Sequence, residues 1–481
     1  MQNGKFDIVN GKTKPLFLRY CIPNILGMLA LSSAQLIDAF FIGNYAGGAA
    51  LASINLVLPF FSLIMGLGIM LCTGGNVICA TFIGEKNYLN ASKIFSKVII
   101  CNITFCLIIT TLGVLFPERI VKMLGANGEL LSDSANYLFY VSIFITFFLG
   151  SYCLSGFARV EQRPVLAFSA ILIGTSVNIV LDWILIFKLH LGVKGAALAT
   201  GMSQTVTFFI IFSHFFSKRS GLRFIMRGLG SWKDIAGACY NGMSELVDEL
   251  SIGITTFIFN WIMITNLGTI GVAAYTVINY SIFFGTMVAY GIGDSIVPLI
   301  STNLGAGKLN RVSGFLRISL FSGVGLGVSI FAALIVMPET FVNFFLGKDS
   351  LETKLLALEF IDLLKWGFLF SSISIILSAY FTAIQRPLES AVVALSRSLI
   401  FPVVFLMLMP KVFDTDGIFM SIPMAELVTI IISLTLLSKN KPQKLIGIDE
   451  GKNEIVHFQT RADRSQYSGN LSGTEREFAA E

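Results

Sequence analysis

Long apolar runs, each closed by a short polar interval, recur along the chain. A helix that crosses a bilayer needs about 20 mostly apolar residues. Runs of that kind lie near 16–42, 51–82, 93–116, 135–157, 164–188 and 193–216. A basic stretch follows, with Lys218, Arg219, Arg223, Arg227 and Lys233. Six more runs lie near 240–266, 272–303, 313–337, 355–382, 388–410 and 416–438. The pattern predicts an all-α integral membrane protein of twelve spans. Residues 1–15 form an N-terminal segment, 16–216 a first lobe (spans 1–6), 217–239 a basic linker, and 240–438 a second lobe (spans 7–12). Residues 439–481 are polar and charged, the composition of a disordered tail. The first fifteen residues are polar, so span 1 is expected to stay in the membrane rather than be cleaved as a leader.

The two halves repeat. Gly84-Glu85-Lys86-Asn87 matches Gly305-Ala306-Gly307-Lys308, Gln162-Arg163-Pro164 matches Gln385-Arg386-Pro387, Gly195 aligns with Gly417, and Ala52 with Ala274. The offset stays at about 222 residues, one repeat unit of six spans. An even number of spans inserts both halves the same way up. They should therefore form two six-helix bundles related by a pseudo-two-fold along the membrane normal, a transporter pattern with the site between the halves.

Composition agrees with this and removes alternatives. Hydrophobic types make up 54% of the 481 residues and charged types 13%, against about 25% in soluble domains. Mean hydropathy is +0.78. A net charge of +5, spread over loops, excludes a nucleic-acid partner. The seven cysteines lie mostly within apolar runs, with no CxxC or Cys/His cluster, so they are packing residues rather than metal ligands. No GxxxxGK[ST] or HExxH occurs, so neither ATP hydrolysis nor zinc chemistry is expected, and no cofactor. Gly291-Ile292-Gly293-Asp294 is similar to the GxGD of intramembrane aspartyl proteases, but the Tyr-Asp those enzymes need is missing. The chain is not expected to be an enzyme.

Lys and Arg concentrate in one set of loops, including Lys12, Lys86, Arg163, Lys308, Arg386 and Lys439. Two loops of the alternate set, near 45–50 and 266–271, carry no charge. The positive-inside rule then places both termini and the linker in the cytoplasm of a multi-pass cell-membrane protein.

Acids within spans are costly and mark function or pairing. Counting about 1.5 Å per residue from the cytoplasmic start puts Asp38 about 33 Å up span 1 and Asp182 about 27 Å up span 5. Asn178 is four residues earlier on the face of Asp182. These three can cluster in the outer half of the first lobe. Their repeat counterparts, Asn260 and apolar residues such as Ile400 and Phe405, do not keep the acids. The cluster suits a proton or a Na⁺ site. Alternatively, both acids meet water at helix ends. Glu245, Asp248 and Glu249 share one face of span 7, and Glu245 and Glu249 compete as cavity acids. Asp294 is a further candidate facing cavity or cytoplasm. Arg397 and Glu426 either pair with each other or leave Glu426 on a cavity wall. Phe and Met are abundant, and a few lining a cavity would suit flat organic cations.

Several segments resemble the MATE (multidrug and toxic compound extrusion) family, of NorM/DinF-like type, over about 15–438. They are Gly-Gly-Ala-Ala-Leu-Ala-Ser at 47–53, Leu58-Pro59, Gly66-Leu67-Gly68, Phe82-Ile83-Gly84-Glu85, and above all the segments 178–187 and 192–200. The resemblance implies a secondary transporter that exports organic, often cationic compounds by antiport with H⁺ or Na⁺, as a monomer. It implies coupling-ion roles for Asp38, Asn178, Asp182 and Thr200 and a hinge at Pro23. Gln35, Gln204, Glu245, Glu249 and Asp294 are the candidates for the substrate cavity. A span-10 acid of some family members has no match in 371–383. A lipid-linked precursor flippase of the same superfamily is the alternative, but span 2 lacks the Lys and Arg that a pyrophosphate would require.

Overall fold

The computed structural model describes residues 7–345 and 351–445; the tail expected beyond lies outside the described residues. Among these described residues, twelve helices are long and apolar enough to cross a membrane. In the first lobe they are span 1 (Thr13–Ala46), span 2 (Ala52–Gly84), span 3 (Tyr88–Leu115), span 4 (Leu130–Val160), span 5 (Pro164–Lys188) and span 6 (Gly192–Phe215). In the second they are span 7 (Met243–Gly268), span 8 (Ile282–Gly305), span 9 (Leu309–Val336), span 10 (Leu351–Ala383), span 11 (Pro387–Leu408) and span 12 (Pro410–Lys439). Large apolar side chains such as Leu26, Leu107, Phe321 and Ile431 remain exposed on the outside of this bundle. Water would penalise such a surface, and lipid does not.

The repeat extends to backbone conformation. Lys86 and its counterpart Gly307 both adopt left-handed φ, 60° and 69°. Gln162 and Gln385 do the same, at 64° and 58°. Each of these turns ends one span and starts the next, and Pro164 and Pro387 begin spans 5 and 11 at a position where a helix needs no N–H. Short helices Pro117–Met123 and Pro338–Phe345, each opened by a proline, follow spans 3 and 9 in the same way.

The lobes meet across spans 2 and 8 at the end of the molecule where Ile8 and Leu445 lie. A Cβ on Gly84 would lie 2.0 Å from the Thr302 carbonyl oxygen, and one on Gly305 would lie 2.1 Å from the Thr81 carbonyl oxygen. The contact is reciprocal, as a two-fold interface requires. Gly74 against Ala238 and Gly242 against Met70 continue the close approach between span 2 and the segment that leads into span 7.

Span 1 is shared between the lobes. Leu16, Phe17, Tyr20 and Cys21 sit in one core cluster with Ile292, Ile296, Leu299 and Phe315 of spans 8 and 9. Beyond Pro23, Ile42 instead packs with Ile186, Val193 and Ala196 of the first lobe. Residues before span 1 form a hook on the second lobe. Ile8 is fully buried, and Arg311 donates to the carbonyls of Ile8 (2.7 Å) and Gly11 (2.6 Å). Asn303 donates to Ile8 O and Lys308 to Val9 O. Partial burial opposes the charge on Asp7, yet bonds from the Val9 N–H and from Asn10, with Lys308 nearby, hold its carboxyl below the usual value.

The central linker is strapped to the first lobe. The Glu161 carboxylate accepts from His214, Ser220 and the Leu222 N–H, and buried Lys97 of span 3 pairs with Asp234 at 2.5 Å.

The crossing predicts a size limit. Gly305→Val should destabilise by about 1–3 kcal/mol through overpacking. Gly253→Ala, where nothing lies within 4 Å, should instead be neutral or gain up to about 1 kcal/mol. Thermal unfolding of both purified variants checks this.

Candidate functional site

The two acids singled out in the first lobe come together. Asp38 and Asp182 bring their carboxyl groups within hydrogen-bonding reach of each other. Asp182 has no exposed surface. Apart from that mutual contact, no N–H or O–H of the described residues donates to either of its oxygens or to Asp38 Oδ1. Asn178 lies one turn below Asp182 and Thr175 two turns below, both buried on that face of span 5. Asn178 Nδ2 and Thr175 Oγ1 also lack partners. Tyr137 of span 4 lies within range of the Asp38 charge.

The backbone changes near both acids. Span 1 widens into a π-turn at Ile42–Ala46, one turn beyond Asp38, and span 5 into another at Trp183–Lys188, directly after Asp182. The two widened turns pack against each other. A π-turn inserts a residue into the helical register and is frequent at functional sites. Two carboxyl groups in contact, one fully buried and the other half-buried, leave room for a positive charge. A shared proton supplies one, and a small cation bound by the carboxylate oxygens supplies another.

Other expected residues are placed differently. Gln35 is exposed on span 1. Gln204 accepts from Ser151 of span 4 at 2.9 Å. Thr200 donates to the Ala196 carbonyl of its own helix. Asp294 forms an ion pair across the lobes with Arg159 of span 4 at 3.4 Å, and Arg159 also reaches Asn24 of span 1. Asp294 thus joins the two lobes while its side chain stays 27% exposed. Glu245 lies within range of the Asp294 and Asp248 charges. Glu249 packs against span 2, its Cβ 3.2 Å from where a Cβ of Gly66 would lie. Both competing glutamates therefore face the region between the lobes.

The tightest polar network of the second lobe belongs to Asp248. Its carboxylate accepts from Arg397 at 2.8 and 3.0 Å, from Tyr290 at 2.9 Å and from Ser398 at 2.5 Å. Of the two readings open for Arg397 and Glu426, the pairing is not the one found. Arg397 binds Asp248, while Glu426 accepts from Ser374 at 3.1 Å and lines a cavity. Arg397 stands in another π-turn, Ser396–Ile400. Thr175, Tyr137, Arg159 and Lys97 were not singled out from sequence. Thr175 was reachable, being three residues before Asn178 and seven before Asp182. The others depend on contacts between distant spans. Among the described residues no group of three or more His, Cys, Asp or Glu could hold a metal.

The sequence model of the MatE family matches residues 23–184 and 250–408, one segment in each lobe. The chain is 24% identical over 424 residues to the multidrug export protein MepA of Staphylococcus haemolyticus, covering 87% of this chain and 92% of that protein. It is 26% identical over 415 residues to MepA of Staphylococcus aureus, covering 85% and 90%. An outward-facing structure of a multidrug resistance MATE family transporter of the MOP superfamily superimposes with a TM-score of 0.86 at 21% identity, covering 92% of this chain and 99% of the other.

Breaking the Asp248–Arg397 pair on one side leaves a buried charge alone. Arg397→Leu should cost about 3–5 kcal/mol, and adding Asp248→Leu should recover most of it. Thermal unfolding of the two variants in one detergent measures the difference.

Proposed function

The chain belongs to the MATE family of multidrug efflux transporters, and from that premise we propose that it exports amphipathic, often cationic organic compounds by antiport with H⁺ or Na⁺. The observation that carries the coupling step is the Asp38–Asp182 contact, a fully buried carboxyl group against a half-buried one, with no hydrogen-bond donor to Asp38 Oδ1 or to either Asp182 oxygen among the described residues. A charge left unpaired in the bilayer is rare, and it calls for a mobile partner. The Asp248–Arg397 pair of the second lobe is already neutralised and lacks that property.

The division of span 1 supports a path from ion to cargo. Its lower turns and the hook at residues 7–11 are fixed to the second lobe, and its upper turns carry Asp38 in the first. Pro23 removes one backbone hydrogen bond between these parts. Neutralising Asp38 and Asp182 changes what the upper half of span 1 binds, and the bend at Pro23 takes up the movement. The cargo then loses contacts on that wall and leaves on the outer side. When the lobes rock about the crossing of spans 2 and 8, the cation is released on the inner side. Both termini and the basic loops lie on that inner, cytoplasmic side under the positive-inside rule.

Charge limits the driving force. One elementary charge across 100 mV is worth about 2.3 kcal/mol. Exchange of one H⁺ for one monovalent organic cation moves no net charge, so only the ion gradient drives it. Two carboxyl groups leave room for a second coupling charge, which would bring the voltage into play.

Ethidium efflux from energised cells tests the coupling site. Asp38→Asn and Asp182→Asn, expressed at normal levels, should each lose efflux at least about tenfold, the effect of removing a charge that the transport cycle must neutralise. Comparison with and without Na⁺ identifies the ion. Full efflux in both variants would move the coupling site to Glu245 or Glu249.

The hook gives a separate expectation. Arg311→Ala, which frees the Ile8 and Gly11 carbonyls, should reduce efflux while leaving substrate binding to the purified protein unchanged. Equal loss of both would mean that the hook serves folding alone.

A further inference from the structure

The linker between the lobes presents a surface that transport leaves unused. Its backbone is held, not loose. The Leu222 N–H donates to Glu161, the Arg223 N–H to Ser92 Oγ at 3.2 Å and the Ile225 N–H to Ser96 Oγ at 2.8 Å. Farther on, Lys97 donates to the Ser231 carbonyl at 2.6 Å and pairs with Asp234. Residues 222–234 are thus tied along the first turns of span 3. That span has 28 residues. Its length of about 42 Å exceeds a hydrocarbon core of about 30 Å. Divided between its two ends, the excess places Ser92, one turn in, at the edge of the hydrocarbon. The linker therefore runs at the level where headgroups meet acyl chains.

What the linker turns outward is apolar and cationic together. Phe216, Phe224, Met226 and Trp232 are exposed, Met226 to 74%. Lys218, Arg219, Arg227 and Lys233 are exposed between them and form no ion pair among the described residues. Asp234 is the one acid in residues 217–239, and Lys97 holds it. Rings and cations side by side, without a free acid, suit acyl chains lying beneath anionic headgroups. Aromatic side chains favour that level of a bilayer, and long cationic side chains reach from it to the phosphates. Water matches the cations and not the rings. Because the backbone is already fixed by span 3, docking orders little of it.

We propose that the linker is a docking surface for anionic phospholipid, with Lys218, Arg219, Arg227 and Lys233 on the headgroup phosphates and Phe224, Met226 and Trp232 against the upper acyl chains. The linker is strapped to the first lobe and joins it to span 7. Bound lipid therefore holds the inner end of that lobe to one leaflet. Cargo and coupling ion play no part in this binding.

The test reads the lipid beside Trp232 in the full chain, reconstituted in liposomes. Trp183→Phe, Trp261→Phe and Trp366→Phe together leave Trp232 as the one tryptophan. Phosphatidylglycerol brominated near the top of its acyl chains, in a phosphatidylcholine membrane, is the first quencher. Equally brominated phosphatidylcholine in a phosphatidylglycerol membrane is the second. Trp232 should select phosphatidylglycerol about fivefold, the contribution of one cation near an anionic surface. Lys218→Gln, Arg219→Gln, Arg227→Gln and Lys233→Gln combined should remove the selection while brominated lipid still quenches. A chain retaining only Trp261, exposed late in span 7 in a stretch without Lys or Arg, should show no selection. Equal quenching of Trp232 by the two lipids, with the four cations in place, overturns the proposal without recourse to the glutamine variant. So does a selection that survives the four glutamines, or one that is as strong at Trp261. Quenching of Trp232 by neither lipid would put the linker in water, open to an acidic protein instead, and would also overturn it.

Discussion

A charge inside a bilayer is costly without a partner, and three ion pairs of this structure answer that cost. Asp248 meets Arg397, Asp294 meets Arg159 across the lobes, and Lys97 meets Asp234 of the linker. Each pair joins elements distant in sequence, so each also fixes how the spans stand relative to one another. Asp38 and Asp182 break the pattern. They meet each other, like against like, with no donor among the described residues to Asp38 Oδ1 or to either Asp182 oxygen. Under the proposed antiport the positive charge at this pair comes from outside the protein, and a site that takes up and gives back a cation is what an exchanger requires.

The pseudo-two-fold frame and the asymmetric chemistry serve different ends. The turns at Lys86 and Gly307 and at Gln162 and Gln385, and the reciprocal glycine crossing of spans 2 and 8, come in symmetric pairs. A symmetric crossing lets two rigid lobes move about a common line. The polar groups are not duplicated. The first lobe holds bare acids, while the second holds a neutralised pair beside an aromatic cavity. Span 1 links these parts, because its lower turns belong to one core and its upper turns to the other.

Much of this was legible in the sequence because the physics behind it is local. Span length follows from bilayer thickness, so the twelve apolar runs correspond closely to the twelve observed helices. The repeat was visible in turn residues that need left-handed or proline-bounded backbone. Asp38, Asn178 and Asp182 stood out because acids are rare at that depth, and Thr175 escaped notice because a threonine there is cheap. Partner choice was not legible. Arg397 could have met Glu426 as well as Asp248, and only the packing of span 11 between spans 7 and 12 decides. The hook at residues 7–11 was invisible for the same reason, since Arg311 and Asn303 recognise backbone carbonyls, which carry no sequence signature.

If cations exchange at Asp38 and Asp182, the decisive quantity is the ion movement that accompanies cargo. Purified protein in liposomes, given an outward gradient of an organic cation and no ion gradient, should drive H⁺ or Na⁺ the other way. An internal pH dye and a Na⁺ tracer would read the two ions separately. Asp38→Asn should abolish that counter-movement while the organic cation still binds. Counter-movement at the wild-type rate in both Asp38→Asn and Asp182→Asn would contradict exchange at this pair.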